Sequence, residues 1–350
     1  MVNEKIDLKE LTCAQLEAFF ASMGEKPFRA RQIMKWLYQQ RVSDFAAMTN
    51  LGKTLRDELG RRAVISTLTP RKVQLSSDGT RKYLFVLADG ASIEAVRIPM
   101  EGERATLCIS TQAGCAMGCR FCMTANAGLL RNLTPGEIVN QVCAALEEGP
   151  VGNIVLMGMG EPLHNLDNVV AALEILYCDD GLGYGARRIT LSTCGLVPEI
   201  AELAQRIKVN LAVSLNAADD QVRNRLMPVN QRYPLAQLIP ACAAYARTTR
   251  QRVTFEYILI KGVNDSVEAA KKLVRLLHPV RCKVNLIAFN PHEGSSFEPP
   301  SDEAIRTFQS LLLERGMVAT LRAGKGRDID AACGQLKGRL SDPAQACQSS

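Results

Sequence analysis

The sequence predicts an α/β protein whose centre is a partial (β/α)6 barrel, preceded by a small helical module and a β-hairpin extension. Three observations carry that prediction. Beyond Arg104, short apolar runs of strand length alternate with amphipathic runs of helix length, the pattern of β-α units on a parallel sheet. Six such units fit a partial barrel better than a complete eightfold one, and ligand-binding residues then belong at the C-terminal strand ends. Between Val64 and Pro99 the apolar period drops to two, and before that the pattern is helical. The expected divisions are a helical module over residues 1–65, a β extension over 66–103, the α/β core over 104–295 and a C-terminal segment over 296–350.

Thr12-Cys13-Ala14-Gln15 reads as a capping box that opens a helix ending near Met23, with Gly24 as its stop. A second helix follows with Pro27 in its first turn, and Phe28, Ile33, Met34, Trp36 and Leu37 supply its apolar side. Further helical pattern runs from Val42 to Leu59. Lys26, Arg29, Arg31 and Lys35 crowd the second helix, either as a solvated face or as a surface for RNA phosphates. Lys82 to Leu87, the Asp89-Gly90 turn and Ser92 to Ile98 form a hairpin signal. The core strands are expected at Ala105–Ser110, Asn153–Met157, Arg188–Ser192, Val209–Leu215, Val253–Ile260 and Lys283–Phe289. Helices are expected near Pro135–Glu147, Asp167–Tyr177, Pro198–Gln205, Pro234–Arg247 and Ser266–Leu277.

Composition bounds the class. A chain of 350 residues, 47% hydrophobic, can bury a large core. Met1 to Phe20 mixes charged with apolar residues, so it has no signal-peptide core, and no apolar run approaches transmembrane length. The expectation is a cytoplasmic protein without a membrane partner. In that compartment its 12 cysteines stay reduced, which argues against a disulfide framework and for metal binding or catalysis by a subset. A net charge of +6 favours a polyanionic partner without identifying one.

The chemistry centres on Cys115, Cys119 and Cys122, spaced C-x3-C-x2-C just after the first core strand. Three thiolates on one loop are a ligand set one short of complete, so either a fourth ligand is distant or one metal position stays open for a substrate. The alternatives are a zinc knuckle or three ordinary core cysteines. Gly158-Met159-Gly160-Glu161-Pro162 follows the second core strand. Its glycines permit close backbone approach and Glu161 offers an acceptor for an amino group, although a tight loop would look the same. Ser192, Ser214, Leu215, Asn216 and Asn290 close the third, fourth and sixth strands, as ribose or adenine contacts or as plain strand-end caps.

The cysteine spacing resembles the signature of radical S-adenosylmethionine (SAM) enzymes, whose 4Fe-4S cluster leaves one iron open to chelate SAM. Arg104 to Cys108, the cysteine loop, Arg131 to Thr134, Gly158 to Pro162, Leu226 to Pro228, Arg232 to Pro234, Gly262 to Asp265 and Asp328 to Leu336 together resemble the RlmN/Cfr family of radical SAM RNA methyltransferases. Lys26 to Arg29 and Trp36 fit as well, so the resemblance covers nearly the whole chain.

That resemblance implies a TIM-like radical SAM barrel holding a 4Fe-4S cluster on Cys115, Cys119 and Cys122. Gly160, Glu161, Ser192, Ser214, Leu215, Asn216 and Asn290 would contact SAM, of which two are used per turnover. It implies that Cys333 is methylated by one SAM, that a radical from the second abstracts hydrogen from the S-methyl group, and that the carbon attacks adenine. Cys108 then resolves the adduct through a transient disulfide with Cys333, and Glu94 accepts the proton. Read from the residues alone, Cys333 would be a buried small hydrophobe and Glu94 a strand carboxylate facing solvent. The implied product is adenosine methylated at carbon 2, at nucleotide 2503 of 23S rRNA and at nucleotide 37 of tRNA, with a flavodoxin-like electron donor and a monomeric enzyme. A C8-methylating branch would use the same cysteines. A zinc-containing RNA-binding protein would explain the basic helix and the cysteine triplet, but not Glu161 and Cys333. Cys13, Cys143, Cys178, Cys194, Cys242, Cys282 and Cys347 match no family site and read as packing or surface residues, with Cys194 close to the SAM pocket.

Overall fold

The computed structural model describes residues 5–102, 104–126, 128–292, 294–322 and 324–338; Cys347 lies outside them. The N-terminal module packs α1 (Cys13–Ser22) against α2 (Phe28–Met34), with Leu16, Phe20, Ile33 and Met34 fully buried between them and the rest of the chain. Thr12 and Gln15 form the expected capping box. The helix expected over 42–59 is broken. Arg41 takes a left-handed φ of 53°, Asp44 caps a single 3-10 turn at Phe45–Ala47, and α3 begins only at Lys53, running to Arg62. Asp44 accepts from the Ala46 amide, a local side-chain bond that competes with helix continuation and that the periodicity of apolar residues does not reveal.

Ten strands make one sheet whose spatial order follows the chain: β1 (Pro70–Leu75), β2 (Arg81–Val86), β3 (Ser92–Pro99), β4 (Ala105–Cys108), β5 (Val151–Leu156), β6 (Ile189–Thr193), β7 (Asn210–Ser214), β8 (Val253–Leu259), β9 (Cys282–Ala288) and β10 (Ala319–Arg322). From β1 to β4 the pairing is antiparallel, and from β4 to β10 it is parallel. The hairpin extension is therefore continuous with the core sheet, and it has a third strand, β1, that the sequence pattern hides. Arg71, Lys72, Val73 and Leu75 on β1 are exposed, so this edge strand has no buried apolar face to betray it. The parallel part has seven strands where the sequence shows six units, because β10 pairs with β9 after helix Asp302–Glu314.

Helices cross over between the parallel strands, among them α4 (Pro135–Leu146), α5 (Leu166–Tyr177), α6 (Val197–Arg206), α7 (Asp220–Leu226), α8 (Leu235–Thr249) and α9 (Val267–Leu277). The N-terminal module is bolted to α4. The Lys9 ammonium, 4% exposed, donates to Asn140 at 2.7 Å, and Glu10 accepts from the Thr134 hydroxyl and the Gly136 amide at the helix start. Among the described residues no helix is long and apolar enough to cross a membrane.

Candidate active site

The C-terminal halves of β3 to β10 each send a residue into one open cavity: Val96, Cys108, Leu156, Ser192, Ser214, Glu256, Ile287 and Arg322 in strand order. Eight successive strands can share one cavity only if the sheet curls around it, which is the geometry of a partial barrel. Cys115, Cys119 and Cys122 line the same cavity, as do Cys333, Gly160, Glu161, Asn216 and Asn290.

The cysteine loop is framed by a two-stranded ribbon, Gln112–Gly114 against Leu129–Asn132. Gly114 sits at φ 81°, and a Cβ there would lie 2.0 Å from the Gly128 carbonyl oxygen, so no other residue fits. The Cys115 amide donates to that same carbonyl at 2.8 Å, and the Arg120 amide donates to Leu226 O at 3.0 Å, tying the loop to the end of α7. Burial pushes the Cys115 thiol up to about 12 and raises those of Cys119 and Cys122.

Gly158 and Gly160 serve a close approach of backbones rather than an open loop. A Cβ on Gly158 would meet Ile109 at 2.7 Å, and one on Gly160 would meet Gln112 at 2.6 Å. The Glu161 carboxylate, 3% exposed, accepts from the amides of Leu163 at 3.0 Å and Cys194 at 2.7 Å. It thereby locks the ends of β5 and β6 together at the cavity wall; burial raises its pKa against those hydrogen bonds. Cys194 does line the cavity, as its position after Ser192 implies.

Two expected contacts stand behind the wall. Leu215 is fully buried, and its amide donates to Glu256 O while its carbonyl accepts from Arg223, so both backbone groups are engaged. Glu94 is 4% exposed rather than facing solvent, and its carboxylate meets Lys82 Nζ at 3.4 Å and the amides of Lys337 and Gly338. Conversely, Glu256 lines the cavity and has no motif in the sequence; it is a single polar position in an apolar strand that becomes informative only once the sheet is closed. Arg322, one of the basic residues just before Cys333, lines the same cavity as Cys108 and Cys333, and Coulombic attraction to Cys333 first, then to Glu256 and Cys108, raises its pKa. Burial pushes Cys108 up to about 12, with Cys333 adding to the rise and Arg322 opposing it.

The residues fit a three-thiolate cluster with SAM. Cys115, Cys119 and Cys122 line one cavity wall, a three-thiol donor set that leaves one position of an iron-sulfur cluster open to a ligand. On the same cavity, Asn290 Oδ1 is buried with no hydrogen-bond partner among the described residues, while its Nδ2 meets Cys333 O at 3.4 Å. An orphaned acceptor in a polar cavity wall calls for a donor on the ligand.

Three of the four basic residues of α2 and its surroundings are less free than the sequence implies. Arg29 pairs with Glu25, and Arg31 and Lys35 both reach Asp180.

Curled parallel sheet, three-cysteine loop and adjoining polar-lined cavity define a radical SAM enzyme. The radical SAM superfamily model matches residues 109–274, and the model described as the ribosomal RNA large subunit methyltransferase N-terminal domain matches residues 6–65. The chain is 63% identical over 345 residues to the dual-specificity RNA methyltransferase RlmN of Syntrophotalea carbinolica, covering 98% of this chain and 93% of that one. It is 55% identical to the Geobacter sulfurreducens protein of the same name, covering 97% and 94%. A radical SAM methyltransferase from Sphaerobacter thermophilus has a crystal structure that superposes with a TM-score of 0.90 at 48% identity, covering 95% of this chain and 100% of that one. The chain belongs to the RlmN family of radical SAM RNA methyltransferases.

Proposed function

We propose that the chain methylates carbon 2 of adenosine in both 23S ribosomal RNA and transfer RNA, with Cys333 as methyl carrier and Cys108 as the thiol that releases the product. The observation that carries this is the placement of Cys333, Cys108 and Arg322 on the wall of the cavity that also holds the cysteine triplet. Carbon 2 of adenine is electrophilic, so polar transfer of a methyl cation is mismatched to it. When bound, the cluster and SAM supply the electron and the carbon-centred radical that bypass the mismatch.

The chain's own residues then have defined tasks. Cys115, Cys119 and Cys122 hold the cluster, and Gly160, Ser192, Ser214, Asn216 and Asn290 orient SAM from the strand ends. Asn290 also steadies the backbone of Cys333. For release, the Cys108 thiolate attacks the Cys333 sulfur to form the disulfide, and the pair of the breaking sulfur–carbon bond passes to the carbon on adenine, which takes up one proton to become the methyl group. Arg322 favours the thiolate that such an attack needs. Glu94 is the proton acceptor only when residues 337 and 338 lift from its carboxylate. A flavodoxin-like electron donor and a cytoplasmic, monomeric enzyme complete the reading.

Anaerobic incubation with SAM, reductant and a 23S RNA fragment or tRNA, followed by nucleoside mass spectrometry, tests it. The expected product is 2-methyladenosine from both RNAs, abolished by C333A and by C108A. Methyl on carbon 8 would assign the chain to the other branch's chemistry.

A further inference from the structure

The segment carrying Cys333 owes its position to the antiparallel extension of the sheet as much as to the barrel. Its start is held by the β1–β2 turn: Asp78 Oδ2 accepts from the Gly326 amide at 3.0 Å, while Asp328 accepts from the Ser76 hydroxyl and from the Ser77 amide at 2.9 Å. Its middle is held by Lys82 on β2, whose ammonium donates to Asp330 O at 3.1 Å and meets Glu94 at 3.4 Å. Its end is held by Glu94 on β3 through the amides of Lys337 and Gly338, at 2.8 and 3.3 Å. The barrel side adds Met123 N to Gly334 O at 2.7 Å and Thr124 Oγ1 to Leu336 O at 2.8 Å. Cys333 lies between these two sets of attachments.

The two sets differ in kind. On the extension side, three charged side chains grip backbone groups of the segment, and Lys82 is 6% exposed with its charge matched by Glu94. Charge-assisted bonds in a shielded place fix direction as well as distance. The Asp78 carboxyl is held below the usual range because hydrogen bonds from Thr80 and Gly326 outweigh its burial, so it stays a full anion at neutral pH. Disulfide formation between two thiols depends steeply on how often they meet, and holding them in reach raises their effective concentration.

We propose that Asp78 and Lys82 are positioning residues for the reaction, forming a clasp that holds the Cys333 segment shut over the cavity with its sulfur in reach of Cys108. The assignment rests on the proposed role of those two thiols, but the clasp itself is measurable without RNA. D78N keeps the oxygen that caps Thr80 (Thr80 N to Asp78 Oδ1, 2.9 Å) and turns an amide donor toward the Gly326 N–H, so the turn survives and the grip is lost. K82M removes the tie to Asp330.

The test uses full-length protein produced under iron limitation, so that Cys333 remains a thiol, then reconstituted with iron and sulfide without SAM. Diamide, which takes two electrons and two protons from a pair of thiols, is added, and the Cys108–Cys333 peptide is followed by mass spectrometry. The wild type should close this disulfide at least tenfold faster than D78N and K82M, with iron content unchanged. In RNA turnover the same variants should lower kcat and leave KM for RNA unchanged. Rates within twofold of wild type in D78N would overturn the clasp, and D78N decides alone where K82M fails to fold. Absence of RNA methylation in the wild type would instead strike at the proposed function and leave the disulfide result standing.

Discussion

At the residue scale the informative contrast is between Cys108 and an ordinary thiol. Cys108 is 7% exposed and pushed up to about 12, chiefly by burial. At pH 8 its thiolate fraction is then about one in ten thousand, against roughly a quarter for an unperturbed cysteine. Alkylation of Cys108 by iodoacetamide in the cluster-free chain should be about a thousandfold slower than that of a model thiol. Because the group is neutral below its raised pKa, the rate should climb roughly tenfold per pH unit between 8 and 11; a flat, fast rate would contradict the burial. Of the residues around it, Cys115, Cys119, Cys122 and Cys333 were legible from spacing and resemblance. Arg322 was legible only as one of the positive charges just before Cys333; its place beside Cys108 was not, because a lone arginine ending a short strand carries no spacing signal until β10 is seen to close the sheet.

At the element scale the site depends on the ribbon that frames the cysteine loop. Gly114→Ala would drive a methyl group into the Gly128 carbonyl, 2.0 Å from the Cβ position, at a left-handed φ. Overpacking and backbone strain of this kind cost about 2–4 kcal/mol. The variant should keep its helical signal yet bind less than half the wild-type iron after reconstitution, measured by iron assay against circular dichroism. Full iron loading would show that the ribbon does not position the thiols. Elements with a strong internal pattern were legible: the capping box at Thr12, the hairpin around Asp89-Gly90, and the six apolar strands of the core. The edge strand β1 and the interrupted region 42–59 were not, since their form follows from pairing with β2 and from Asp44 and Gly52 interrupting helical periodicity.

At the scale of the whole molecule, three parts of the chain meet at one thiol. The barrel supplies the cysteine loop and Cys108, the antiparallel extension supplies Lys82 and Glu94, and the C-terminal segment supplies Cys333. Glu94 shows why the sequence alone misplaced its surroundings: alternation along β3 identifies a strand carboxylate, but only the folded C-terminal segment buries it. The central claim is that the methyl group reaches RNA by way of Cys333. It is tested most directly by giving the reconstituted enzyme SAM with a deuterated methyl group, isolating the Cys333 peptide, removing free SAM and then adding RNA with unlabelled SAM. The account predicts label on Cys333 before RNA is added and in 2-methyladenosine after the first turnover. Product whose first-turnover methyl comes entirely from the unlabelled SAM, with the label still on the peptide, would contradict it.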